Sequence, residues 1–160
     1  MESKKIVLLA ACILICEAAG ILGSFFTTPS IPTWYASLQK PALAPPNWVF
    51  APVWTSLFFL MGVSLYLVIY RGKGLGKVKP QLTVFGLQLM LNFLWSVLFF
   101  GMQNPALAFA EIVILWISIA LTIFVFRKVS KASAYLLVPY IMWVSVAALL
   151  NFQIWMLNYF

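Results

Sequence analysis

The strongest constraint on this chain is a set of five apolar segments, each long enough to cross a lipid bilayer. They cover residues 6–26, 47–70, 82–101, 106–126 and 134–157. A hydrocarbon core about 30 Å thick needs roughly 20 helical residues per crossing, and each segment meets that length. Only 8% of the side chains are charged and the mean hydropathy is +1.04, which excludes a soluble enzyme domain, a disordered chain and a disulfide scaffold. A helix satisfies its own backbone in lipid, whereas a barrel would show alternating strands of about ten residues. The expected fold is an all-α membrane protein, a bundle of five transmembrane helices making a single domain over residues 1–160. The stretch 27–46 carries Pro29, Pro32, Pro41, Pro45 and Pro46 and reads as a long loop between the first two helices.

Other breaks agree. Gly72, Gly74, Gly76 and Pro80 lie among basic residues between the second and third spans, and Asn104-Pro105 makes a tight entry to the fourth. Pro139, well inside the fifth span, predicts a bend. The basic residues predict orientation. Nine of the ten, namely Lys4, Lys5, Arg71, Lys73, Lys77, Lys79, Arg127, Lys128 and Lys131, fall on the side of the amino terminus, and Lys40 alone falls opposite. The positive-inside rule then puts the amino terminus in the cytoplasm and the carboxyl terminus outside. The net charge of +7 is thus a topology signal with some attraction to anionic lipid, and calls for no nucleic-acid partner.

Soluble-enzyme signatures are missing: the chain has no histidine, no aspartate, no glycine-rich phosphate loop and no nucleophile elbow. Cys12 and Cys16, one turn apart on the first span, read as small packing residues, so no metal site is expected. Glu17 and Glu111 lie inside spans, where an ionisable group is costly and marks either a functional position or a polar packing contact between helices.

The aromatic residues say more. Trp34, Tyr35, Trp48, Trp155 and Tyr159 fall near span ends, as in an aromatic belt. Trp54, Trp95, Trp116 and Trp143 lie within spans, where each indole N–H needs a partner. Helical spacing collects Phe50, Trp54, Phe58 and Met61 on one stripe, Asn92, Trp95, Ser96 and Phe99 on a second, and Trp143, Ala147, Leu150, Asn151 and Ile154 on a third. Such stripes suit either a pocket for a large, flat, mostly apolar ligand or plain helix-packing seams.

At these residues the sequence resembles the tryptophan-rich sensory protein family, whose animal members are called translocator protein or peripheral benzodiazepine receptor. The matching segments are Trp34-Tyr35 with Leu38-Gln39-Lys40-Pro41, Pro45-Pro46-Asn47-Trp48-Val49-Phe50 and Pro52-Val53-Trp54. Further on come Leu91-Asn92-Phe93-Leu94-Trp95-Ser96 with Phe99-Phe100-Gly101, Pro139-Tyr140 with Trp143, and Leu150-Asn151-Phe152. The resemblance implies a five-helix bundle, usually a homodimer, that binds porphyrins, sterols and isoquinoline carboxamides under a lid made by the first loop.

Carried over by position, the resemblance implies that Trp54, Asn92, Trp95, Trp143, Ala147, Leu150 and Asn151 lie at or near the ligand, with Pro45 and Pro46 in the lid; the stripes add Phe58 and Ser96 to the expected site, and Trp34 and Tyr35 complete the expected lid. Three positions depart from the family pattern: Leu43 where many members have tryptophan, Phe58 where tyrosine is frequent, and Phe152 with Met156 where the animal sterol motif needs a tyrosine and a basic residue. The implied function is binding of a tetrapyrrole such as protoporphyrin IX or haem, in porphyrin transport or in stress or redox sensing, with no required cofactor. Lipid or sterol transport, and light- and oxygen-dependent porphyrin degradation using Trp54 and Trp143, are the alternatives. Ala19 with Gly23, or Ala106 with Ala110, would allow a dimer contact. The expected location is a prokaryotic inner membrane, with the mitochondrial outer membrane the alternative.

Overall fold

A computed structural model describes residues 2–42 and 44–159; Leu43 lies outside the described residues. The helices are α1 (Glu2–Ser30), α2 (Trp34–Ser37), α3 (Asn47–Arg71), α4 (Lys79–Ser96), α5 (Pro105–Arg127), α6 (Lys131–Leu136) and α7 (Val138–Tyr159). Among the described residues there is no strand. Five helical runs are long and apolar enough to cross a membrane, with α6 and α7 together forming the fifth. The first helix outruns its apolar segment and reaches Ser30, so the connection to α3 is shorter than the proline pattern suggests and contains the single turn α2.

Local chemistry accounts for the helix ends. Pro105 opens α5, and the Asn104 side chain accepts from the Leu107 N–H at 3.0 Å. Ser130 caps α6 through the Ser133 N–H at 3.3 Å. The bend expected at Pro139 is present as a break at Leu137, whose N–H turns onto the Ala134 carbonyl at 3.2 Å. A π-helical turn, Val97–Gly101, prolongs α4, and the Met102 N–H reaches back to the Val97 carbonyl at 2.7 Å. Single π turns of this kind are frequent at functional sites.

α1 packs along α3 and α4, α5 packs between α4 and α7, and α6 packs on α3 and α5. The α1–α3 seam depends on glycine. A Cβ on Gly62 would lie 2.5 Å from the Ile13 Cα, and one on Gly20 would lie 2.5 Å from the Phe58 ring. Toward the end that carries most basic residues, Ser64 and Ser133 exchange bonds: each hydroxyl donates to the other residue's carbonyl, at 2.9 and 2.7 Å. Phe85 stacks on Phe126 at 5.6 Å.

Glu111 is buried inside the bundle at 5% exposure, and neither carboxyl oxygen has a hydrogen-bond partner; Gln88 and Ser118 are buried without partners as well. An unpaired buried polar group lowers stability, and an apolar side chain of similar volume removes that cost. Glu111→Met is expected to stabilise the bundle by about 1–3 kcal/mol, read as a higher thermal midpoint in detergent. A loss of similar size would show that the carboxyl is satisfied by bound water.

Candidate functional site

A cavity of about 370 Å³ opens among α1, α3, α4 and α7, toward the end of the bundle that carries the α1–α3 connection. This lies within the range of roughly 300–1,000 Å³ typical of small-molecule sites. The three stripes read from the sequence converge on it. α3 supplies Phe50, Trp54 and Phe58, α4 and its π turn supply Asn92, Trp95, Ser96 and Phe99, and α7 supplies Trp143, Ala147, Leu150, Asn151 and Ile154. All nine residues expected around a ligand therefore line one space. Met61, on the α3 stripe, is instead wholly buried in the core.

Helical period alone could not reveal the fourth wall. α1 contributes Glu17, Ala19, Gly20, Gly23 and Thr27, and these line the cavity because Gly20 lets the Phe58 ring lie against the helix backbone. Phe100 also lines the cavity, four residues after Ser96 and eight after Asn92 on the same face. Glycines and alanines on α1 give no apolar stripe, so their sequence signal is weak.

The aromatic surfaces around the cavity fall into three groups of ring contacts. Trp54 lies 5.7 Å from Phe58 at 31° and 6.3 Å from Tyr140, Phe50 meets Trp143 edge-on at 6.0 Å, and Trp95 stacks on Phe99 at 4.9 Å. The indole donors divide. Trp95 Nε1 donates to Asn151 Oδ1 at 3.0 Å, Trp116 Nε1 donates to Ser145 Oγ at 2.9 Å, and Trp143 Nε1 is buried without an acceptor. The two asparagines also differ. Asn151 is committed at both atoms, because its Nδ2 donates to the Pro105 carbonyl at 2.7 Å. Asn92 Nδ2 donates to the Tyr140 hydroxyl at 2.9 Å, which leaves its carbonyl oxygen for a bound molecule.

The lid is narrower than the sequence suggests. Tyr35 and Ile31 line the cavity, whereas Trp34, Pro45 and Pro46 do not. Trp34 packs edge-on against Phe99 at 5.5 Å, and Pro46 stands just before α3. Tyr35 is buried between Phe99 and Phe100, and burial pushes its phenol up from the ordinary value. Lys40 Nζ lies 4.8 Å from the Tyr35 ring centre and donates to the Ala36 and Leu38 carbonyls. The loop is pinned to α7 by Asn158, whose side chain accepts from Gln39 N–H at 2.8 Å and donates to the Gln39 carbonyl at 3.0 Å. Phe152 and Met156, at the sterol-motif positions, are exposed on the outside of the bundle. Among the described residues no group of three His, Cys, Asp or Glu side chains could hold a metal ion.

Residues 12–156 match the TspO/MBR family. The chain belongs to that family. It is 47% identical to the tryptophan-rich protein TspO of Chlorobaculum tepidum over 98% of this chain and 99% of that one. Its identity to the tryptophan-rich protein TspO of Archaeoglobus fulgidus is 48%, over 96% of this chain and 99% of the other. The translocator protein of Ovis aries is 38% identical over 91% of this chain and 86% of its own. As a TspO/MBR family member with five apolar helices of spanning length, the protein is a multi-pass membrane protein in contact with lipid.

Proposed function

We propose that this protein binds a flat, largely apolar tetrapyrrole such as protoporphyrin IX in the cavity, and that it serves porphyrin transport or stress sensing. The observation that carries the reading is the convergence of Trp54, Phe58, Trp95 and Trp143 around one space that also holds unspent polar groups. Ring faces would stack on the indoles, while the Asn92 carbonyl and the Ser96 hydroxyl orient polar edges. With Asn151 committed inside the fold, its part is to hold Trp95. Acidic edges of the ligand would lie toward the lid, near Lys40.

The protein would sit in a prokaryotic inner membrane with its amino terminus in the cytoplasm. In a homodimer α5 would supply the contact, because Ala110 is exposed while Gly23 is buried near Ser96.

A dark titration tests the binding. Protoporphyrin IX is added to the detergent-solubilised protein and its absorption band followed to saturation, beside Ala147→Phe. Ala147 lines the cavity from α7, so the larger ring occupies ligand space, and affinity is expected to fall at least tenfold. Unchanged affinity in a folded Ala147→Phe protein would contradict the reading.

A further inference from the structure

The cavity's charge is one-sided. Among the described residues that line it, Glu17 alone carries a formal charge. Glu17, partly buried, sits at the end of the cavity away from the lid (its deep end), thirteen residues before Ser30 and so about 20 Å along α1 at 1.5 Å per residue. On the seam it falls between Ile13, which packs on Gly62, and Gly20, which packs on Phe58. It also lines a second, shallower hollow with Thr55, Ser56, Phe59 and Leu60. None of these neighbours is a cation. The cation nearest the cavity along the chain's lid, Lys40, is held over Tyr35 at the opposite end.

A carboxyl group in the middle of a membrane helix is costly to ionise unless an opposite charge accompanies it. A ligand that brings a positive charge to the deep end would supply the missing partner, while a ligand that brings a carboxylate there would add a second negative charge. We infer that Glu17 is a specificity-determining residue, which makes the deep end of the cavity favour a cationic edge of a flat ligand over a neutral one and reject an anionic one. This rests on the cavity being the ligand site. It further specifies that ligand's polarity: acids toward the lid, neutral or basic groups inward.

Two flat probes of similar shape test it. 9-Aminoacridine is a cation at pH 7.5 and acridine is neutral there, and both are titrated into the full chain in a non-ionic detergent, followed by their fluorescence. The wild type is expected to bind 9-aminoacridine at least tenfold more tightly than acridine. Glu17→Gln should bring that ratio below threefold, chiefly by weakening 9-aminoacridine. Should Glu17→Gln fail to fold, Thr55→Lys sets a cation beside the carboxyl in both hollows and must abolish the preference in the same way. Equal binding of the probes by the wild type, no saturable 9-aminoacridine binding, or a preference that survives either substitution overturns the inference. Protoporphyrin IX titrated in parallel separates the two assignments. A cation preference lost in Glu17→Gln without porphyrin binding leaves Glu17 standing and removes the tetrapyrrole; porphyrin binding without a cation preference does the reverse.

Discussion

Gly62→Leu is expected to lower the stability of the bundle by about 3 kcal/mol or more, enough to leave much of the protein unfolded in detergent. Gly62 is buried where α3 meets α1, and even a methyl group there would sit 2.5 Å from the Ile13 Cα and 2.9 Å from its nitrogen. Those obstacles are backbone atoms, which no rotamer change can move aside. The whole of α1 must shift, and with it the wall of the cavity that contains Glu17 and Gly20. Gly86→Ala is the control, because an added Cβ meets nothing within 4 Å. It should be neutral or stabilise by up to about 1 kcal/mol through lower chain entropy. Thermal unfolding of the two variants side by side measures the difference. A Gly62→Leu protein as stable as the wild type would show that α1 does not lie where it is described.

Asn151→Leu should be the next most damaging change, at roughly 2–3 kcal/mol. Interhelical hydrogen bonds in membranes average only about 0.6 kcal/mol, with a maximum near 1.7. Here one side chain carries two, to Trp95 and to the Pro105 carbonyl, and its loss leaves the indole N–H without an acceptor. Trp95 would then lose the orientation that stacks it on Phe99, so porphyrin affinity should fall together with stability. A double-mutant cycle with Trp95→Phe isolates the pair. A coupling near 1 kcal/mol is expected from one such bond, and a coupling of zero would mean that Asn151 acts through packing alone.

How far residue pattern alone reaches can be judged from these positions. The five spans follow from length and hydropathy because lipid leaves the backbone one economical solution, the helix. The aromatic stripes on α3, α4 and α7 are periodic, and periodicity predicts a shared face, so Trp54, Trp95 and Trp143 could be grouped before any coordinates. The α1 wall could not be found this way. Gly20 and Gly23 matter by what they lack, and absence of a side chain produces no stripe. Phe100, by contrast, was within reach of the pattern, because it follows Asn92 and Ser96 at i+8 and i+4 on the same face. The role of Asn151 was also hidden. A polar residue on a cavity face can serve a ligand or a neighbouring helix, and only the bonds to Trp95 and Pro105 distinguish the two.

The most direct test of the account uses the ligand as its own probe. A porphyrin illuminated in air with azide present, which scavenges freely diffusing singlet oxygen, oxidises chiefly the indoles in contact with its ring. With substoichiometric protoporphyrin IX and a brief light dose, peptide mass spectrometry of the seven tryptophans reads which indoles lie beside it. The account predicts oxidation concentrated on Trp54, Trp95 and Trp143, which line the cavity, and suppressed when Ala147→Phe fills it. Trp48, 75% exposed, and Trp116, on the outer face, should remain largely intact. Oxidation that falls mainly on Trp48 and Trp116, and is indifferent to Ala147→Phe, would mean that the porphyrin sits on the lipid-facing surface and that the cavity is not its site.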